Sequence, residues 1–345
     1  MSGGIAQLVA VGAQDAHLVG KPEVSFFRSN YKRHTNFAQV VDRQVIQGNQ
    51  SSSGMSTVRF ERKGDLLSYV YFTAKNGTAT SSIIWDQYIS KVELLIGGQV
   101  IDEQDIIFME ELAPDLLAQN LSKSAIGSHF SGGGGTESFL PLRFWFCENF
   151  QSALPLVALQ FHDVELRITW ANNPTIANIT IECFANFISL DTNERSAVSA
   201  GSQSMLIYQV QKAIASGSKI QELNFNHPVK LLASPSGGAL THTDSRVKLQ
   251  INGTDVCDGK NASPNFTSVA SYYHSPYAIG NNSDFFLYPF CLDTAKHQPT
   301  GSLNFSRLDS ARIVSDNQPI SQPVYAINLN ILRIQNGMGG LAYSN

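Results

Sequence analysis

The chain has 345 residues, 43% of them hydrophobic and only 15% charged, with a net charge of −4. This excludes disorder as its main character, and the acidic balance argues against a protein that grips nucleic acid over its whole surface. The length suits two domains, and so little charge predicts that much of the surface is covered by something.

The N-terminal stretch is mildly apolar but lacks the basic n-region of a signal peptide. It reads either as a flexible tail or as an arm that docks on a partner through Ile5, Leu8, Val9 and Val11. No apolar run reaches the roughly 18 residues of a spanning helix. A basic cluster follows, Tyr31, Lys32, Arg33 and His34. It reads as a solvated strand end, as a contact to an acidic partner, or as a small nucleic-acid contact.

From there the dominant pattern has period two, the signature of strands. Thr57 to Arg62 alternates, and Leu66 to Thr73 (LLSYVYFT) predicts a strand buried on both faces. Val92 to Ile96 runs into Gly97-Gly98 and resumes at Val100, which predicts a tight hairpin. Phe161 to Trp170 alternates, with Val164, Leu166, Ile168 and Trp170 on one side. Ile179 to Leu190, Val247 to Ile251, Phe285 to Phe290, Ala311 to Val314 and Val324 to Ile334 are further strands. Helix is expected over Asp105 to Leu121, interrupted by Pro114, and in a short turn at Asn193 to Ser199. Cys147, Cys183, Cys257 and Cys291 form no CxxC pair, and three of them fall in apolar strand-like runs, so buried free thiols are expected.

Two internal echoes suggest a duplication. Val92, Leu94, Ile96 and Gly98 match Val247, Leu249, Ile251 and Gly253 at an offset of 155. Phe146, Cys147, Pro155, Leu159 and Phe161 match Phe290, Cys291, Pro299, Leu303 and Phe305 at an offset of 144. The same order in both halves favours two copies of one β-domain. The expected fold is all-β: two consecutive eight-stranded jelly rolls with short helical insertions. The expected division is an arm at 1–22, a first roll at 23–190, a linker at 191–204 and a second roll at 205–345.

Catalytic patterns are thin. There is no GxSxG, HExxH or P-loop. His162, Asp163 and Glu165 would make a poor metal set, because on one strand His162 points away from the two acids. Neither a cofactor nor a metal is expected.

The stretch Gly3 to Ala38 (GGIAQLVAVGAQDAHLVGKPEVSFFRSNYKRHTNFA) resembles the opening of major capsid proteins of nucleocytoplasmic large DNA viruses, on the phycodnavirus and mimivirus side. The likeness continues at Leu154 to Ile168, Leu190 to Arg195, Phe225 to Lys230, His297 to Asp309 and Asn328 to Asn345, in order along the chain. The resemblance implies a double jelly-roll protein without catalysis. It implies a homotrimer that looks pseudo-hexagonal and tiles an icosahedral virion shell assembled in the host cytoplasm. It also implies contacts to neighbouring capsomers and, through the arm (with Ile5, Leu8, Val9, Val11 and Tyr31 to His34 as contact residues), to minor capsid proteins and an internal membrane. Direct genome binding is not implied. Insertions at the top of the rolls would carry any glycans, with Asn252, Asn261, Asn265 and Asn281 as candidate positions.

Two other readings compete. One is a minor or vertex double jelly-roll capsid protein. The other is a jelly-roll lectin, for which Tyr272-Tyr273 with Asn281, Asn282 and Asp284 is the candidate platform.

Overall fold

The computed structural model describes residues 3–76, 83–125, 137–173, 179–277 and 285–344. Met1–Asn36 form one unit and Phe37–Asn345 another. The first unit holds two short helices, Gly3–Val9 and Ala16–Val19.

The first half of the second unit contributes ten strands: β1 (Phe37–Gln44), β2 (Ile46–Gln47), β3 (Met55–Arg59), β4 (Leu66–Asn76), β5 (Ile89–Ile96), β6 (Gln99–Asp105), β7 (Glu137–Pro141), β8 (Leu154–Pro155), β9 (Val164–Trp170) and β10 (Ile179–Leu190). The other half contributes β11 (Gln203–Ala213), β12 (Ile220–Glu222), β13 (Pro228–Ser234), β14 (Arg246–Ile251), β15 (Thr254–Asp255), β16 (Lys260–Asn261), β17 (Phe286–Pro289), β18 (Leu303–Asn304), β19 (Ala311–Ser315), β20 (Val324–Gln335) and β21 (Met338–Leu341). A helix, Thr192–Ala200, lies between the halves.

The two halves repeat one topology. Sheet order β1-β10-β4-β7 is matched by β11-β20-β13-β17, and β3-β9-β5-β6 by β12-β19-β14-β15, all antiparallel. Even the irregularities agree. β4 carries an extra residue against β10 beside Ala185/Phe187, and β13 carries one against β20 beside Val229/Leu231. Each half is therefore a jelly roll of two facing sheets, and the expected fold is the one found.

Alternation builds the cores. On β9, Val164, Leu166, Ile168 and Trp170 are buried, while Glu165, Arg167 and Thr169 are half-exposed. The hairpin between β5 and β6 turns on Gly97 and Gly98, both at positive φ as a tight primed turn requires. The first echo lies on matched hairpins, since Val92 pairs with Gln104 as Val247 pairs with Lys260. The second echo lies on matched segments but out of register. Pro155 pairs with Leu66 where Asn304 pairs with Pro228, an offset of 149 in place of 144.

The region expected as one kinked helix is a β6 end, a π-helix (Phe108–Leu112) and a short α-helix (Ala113–Leu116) with Pro114 in its first turn. Of the cysteines only Cys183 lies in a strand. Cys147 sits in the helix Trp145–Glu148, Cys291 follows β17, and all four are free thiols.

The two rolls share a core. One apolar cluster holds the interior of the first roll together with Leu231, Ala233, Leu287, Tyr325 and Ile327 of the second. The neighbours Val229, Leu232, Phe286, Val324 and Ala326 fill the second roll's own core. β13, β17 and β20 are thus buried on both faces, which is why they read as continuous apolar runs.

Polar groups tie the seam. Val210 N donates to Asp102 Oδ1 (2.9 Å), Tyr208 Oη to the Arg143 carbonyl (3.2 Å) and Tyr325 Oη to Asp105 Oδ2 (2.7 Å). Lys212 pairs with Asp105 at 2.6 Å. The C-terminal hairpin completes the joint. Phe161 N donates to the Gly337 carbonyl (2.9 Å), and a Cβ on Gly339 would lie 2.6 Å from Leu159 Cδ2.

Candidate interaction surfaces

The duplication gives every surface of one roll a twin on the other, so the functional question becomes which twin is covered. Strand pairing sets the correspondence. Tyr71 faces Pro141 and Phe184 as Leu231 faces Pro289 and Ile327. Thr73 faces Phe139 and Glu182 as Ala233 faces Leu287 and Tyr325.

In the second-roll set Leu231, Ala233, Leu287, Tyr325 and Ile327 are buried in the core shared with the first roll, and Pro289 is half-buried. The first-roll set is partly open: Phe139 is exposed, and Tyr71, Thr73, Glu182 and Phe184 are half-buried. Tyr71 stacks on Phe184 with ring centroids 5.4 Å apart, and Tyr69 meets Phe150 edge-on at 6.3 Å. β4 is thus buried on one face only, not on both as its composition predicts. The tyrosines at 69 and 71 occupy the outer face.

Beside these rings lies a cavity of about 480 Å³, lined by Tyr69, Tyr71, Phe139, Arg143, Cys147 and Phe150 among others. Arg143 is 3% exposed and pairs with the equally buried Glu148 at 3.0 Å. Lys123 Nζ donates to the Glu148 carbonyl (2.7 Å). Burial holds the Cys147 and Cys183 thiols up at about 12, so neither supplies a thiolate at neutral pH. Burial, then the neighbouring Tyr69, also raises Tyr71. These groups make a packing surface and supply no activated nucleophile.

The sequence-derived contact residues fall in the N-terminal unit. Ile5, Leu8 and Val9 lie on or at the end of the Gly3–Val9 helix with their side chains exposed, and Val11 follows, also exposed. Tyr31, Lys32, Arg33 and His34 form an exposed segment outside helix and strand, with His34 Nδ1 2.8 Å from the Thr35 carbonyl.

Of the candidate glycan positions, Asn252 is the exposed residue of the β14–β15 turn, and its Oδ1 accepts from Asp309 N (2.9 Å) and Ser310 N (3.2 Å). Asn261 is exposed at the end of β16, and Asn265 Nδ2 donates to its carbonyl (2.9 Å). Asn281, Asn282 and Asp284 lie outside the described residues, which leaves Tyr272 and Tyr273 of the lectin platform, edge to face at 5.0 Å.

His162 precedes β9 and is not on a strand; its Nδ1 sits 2.9 Å from the Gly339 carbonyl, at the joint between the rolls. Sequence reading missed the open face. Its signal was present in the two tyrosines of LLSYVYFT, since an inward-facing Tyr needs a hydroxyl partner and an outward one does not.

Two rolls of one topology, fused through a common core with one sheet face covered and its twin partly open, define the double jelly-roll class of shell proteins. The family description "Major capsid protein N-terminus" matches residues 25–206, and "Large eukaryotic DNA virus major capsid protein" matches residues 240–340. The chain is 33% identical to the major capsid protein of Pyramimonas orientalis virus and 29% identical to that of Paramecium bursaria Chlorella virus 1, each match covering both proteins in full. Among solved structures it is similar to PBCV-1 VP54, fitted into a reconstruction of the virophage Sputnik. That match has a TM-score of 0.78 and 27% identity over 93% of this chain and all of that one. The Faustovirus major capsid protein shares the fold, with a TM-score of 0.64 at 12% identity.

The chain belongs to the major capsid proteins of large eukaryotic DNA viruses. Its role is structural and its place is the virion shell.

Proposed function

We propose that the chain assembles as a homotrimer whose six jelly rolls close a pseudo-hexagonal ring, and that these capsomers tile an icosahedral shell. The observation that carries this is the contrast between twin faces: Leu231, Leu287 and Ile327 are buried under the first roll, while Tyr71, Phe139 and Phe184 are not. A heterologous contact repeated around a closed ring covers every such face once.

In this reading the first roll spans 23–190 and the second 205–345, joined by 191–204. The arm at 1–22, with Ile5, Leu8, Val9 and Val11 and the basic residues Tyr31 to His34 beyond it, faces the shell interior. There it contacts minor capsid proteins and the internal membrane, not the genome. The protein catalyses no reaction, and assembly takes place in the host cytoplasm. Glycans, where added, sit on the insertions at the tops of the rolls, with Asn252 and Asn261 the exposed positions among those described.

The test is oligomer mass. Light scattering on the purified chain should give about three times 37.7 kDa. A double Tyr71→Asp, Phe184→Asp variant should run as a folded monomer with unchanged circular dichroism. A monomeric wild type sinks the reading.

A further inference from the structure

The residues by which the first roll covers the second are known, and the duplication gives each a counterpart. At the seam Ile101, Asp102, Asp105 and Phe108 meet Gln209, Val210, Tyr325 and Lys212, with the Phe108 and Tyr325 ring centroids 5.7 Å apart. Pairing within the hairpins aligns Gln104 with Lys260 and Asp105 with Asn261. Each roll then repeats an unusual element. A five-residue π-helix, Phe108–Leu112 or Asn265–Val269, runs directly into a short α-helix, Ala113–Leu116 or Ala270–His274. π-Helices are rare and concentrate at functional sites.

The first copy of this segment is buried against the second roll. The second copy buries Phe266, Thr267, Ala270 and Ser271 and leaves its other face bare. Val269 is 43% exposed, Tyr272 81% and Tyr273 72%, and these positions share one helix face by their i, i+3, i+4 spacing. Val256, at the offset-155 position from the buried Ile101, is 50% exposed. Lys260 makes no ion pair among the described residues.

We propose that Val256, Lys260, Val269, Tyr272 and Tyr273 of one chain cover Tyr71, Phe139, Phe184 and Glu182 of a second copy, repeating between chains the contact that joins the two rolls within a chain. The proposal rests on the trimeric reading and adds the mating surface to it. The chemistry is matched. Aromatic rings meet aromatic rings, and Asn261, the twin of Asp105, approaches Glu182, the twin of Tyr325, with the Lys260 charge next to it on β16. Tyr272 and Tyr273 are then assembly residues and not a sugar platform. A glycan on Asn261 or Asn265 is incompatible with the ring.

The experiment pairs Tyr272→Cys with Phe184→Cys in the full chain, under mild oxidation. Non-reducing gels should show chains linked covalently into dimers and trimers, and neither single variant should do so, which controls for the four native thiols. A trimer by light scattering that gives no link, or a bond formed within one chain, overturns the mating surface and leaves the trimer standing. A wild-type monomer sinks the trimer itself. Tyr273→Glu, an exposed change that spares the fold, should raise the concentration at which trimers dissociate at least tenfold. Dissociation unchanged from wild type also overturns the proposal.

Discussion

The two rolls share strand order, bulge position and helical insertion, yet they treat the same sheet face in opposite ways. In the second roll it is Leu, Ala, Leu, Ile and Tyr at 231, 233, 287, 327 and 325, sealed in a core. In the first it is Tyr, Thr, Phe, Phe and Glu at 71, 73, 139, 184 and 182, with an ion pair from Glu182 to Arg43 at the rim. A face that is always covered can be aliphatic. One that stands in water before assembly carries rings with polar handles and a charge, because a bare aliphatic patch would aggregate. In the proposed ring the contact within the chain is therefore permanent and the contact between chains is made later.

The sharpest way to break this comparison is to treat the twins alike. Leu231→Ala should cost about 2–5 kcal/mol of stability, the range for a buried leucine, read by denaturant unfolding. Tyr71→Ala should leave the unfolding of the isolated chain nearly unchanged and act on oligomer mass. Equal losses of stability at the two positions would remove the distinction.

Next is the joint that makes one face permanent. A Cβ at Gly339 would meet Leu159 at 2.6 Å and Ile96 at 3.2 Å, so Gly339→Ala should destabilise by about 1–3 kcal/mol, seen as a lower Tm.

A smaller effect follows from Asp102 in the seam, whose carboxyl burial pushes up to about 7. Its folded pKa lies above the unfolded value of 3.8. Between those values the folded state holds the proton that the unfolded state has lost, so stability falls as pH rises from about 4 to 7 and is flat above. Asp102→Asn should remove that slope, read from a series of melts across that pH range.

Smallest is Arg43→Ala at the rim of the open face. Its bond to Glu182 is 2.7 Å long, but the side chains are 63% and 37% exposed, so a change of less than about 1 kcal/mol is expected.

Much of the fold was legible because period-two alternation is local. β9 and the β5–β6 hairpin are written in residues a few positions apart, and the echo of Val92 to Gly98 in Val247 to Gly253 carried the duplication. The second echo was out of register because insertions between strands shift the offset, and only hydrogen-bond pairing can measure it. The open face was legible only in Tyr69 and Tyr71 of LLSYVYFT, which mark an outward face but not what covers it, because that is decided by residues far away in the chain. The arm residues were legible as apolar positions of a tail or docking arm, and the burial of cysteines held for Cys183 and Cys291 but not for the half-buried Cys147 and Cys257. The place of Cys147 in a helix was not, since four residues are too few to show a helical period.

The C-terminal hairpin has a consequence in time. Gly337 and Gly339 complete a joint whose other half, Phe161 and His162, is made much earlier on the ribosome. At roughly 5–20 residues per second, the first roll waits on the order of ten seconds for the segment that clasps it. A chain cut short before Gly337 cannot close that clasp. Completion of translation is thereby read out as a finished surface, and truncated products are disqualified from the shell before they meet a partner.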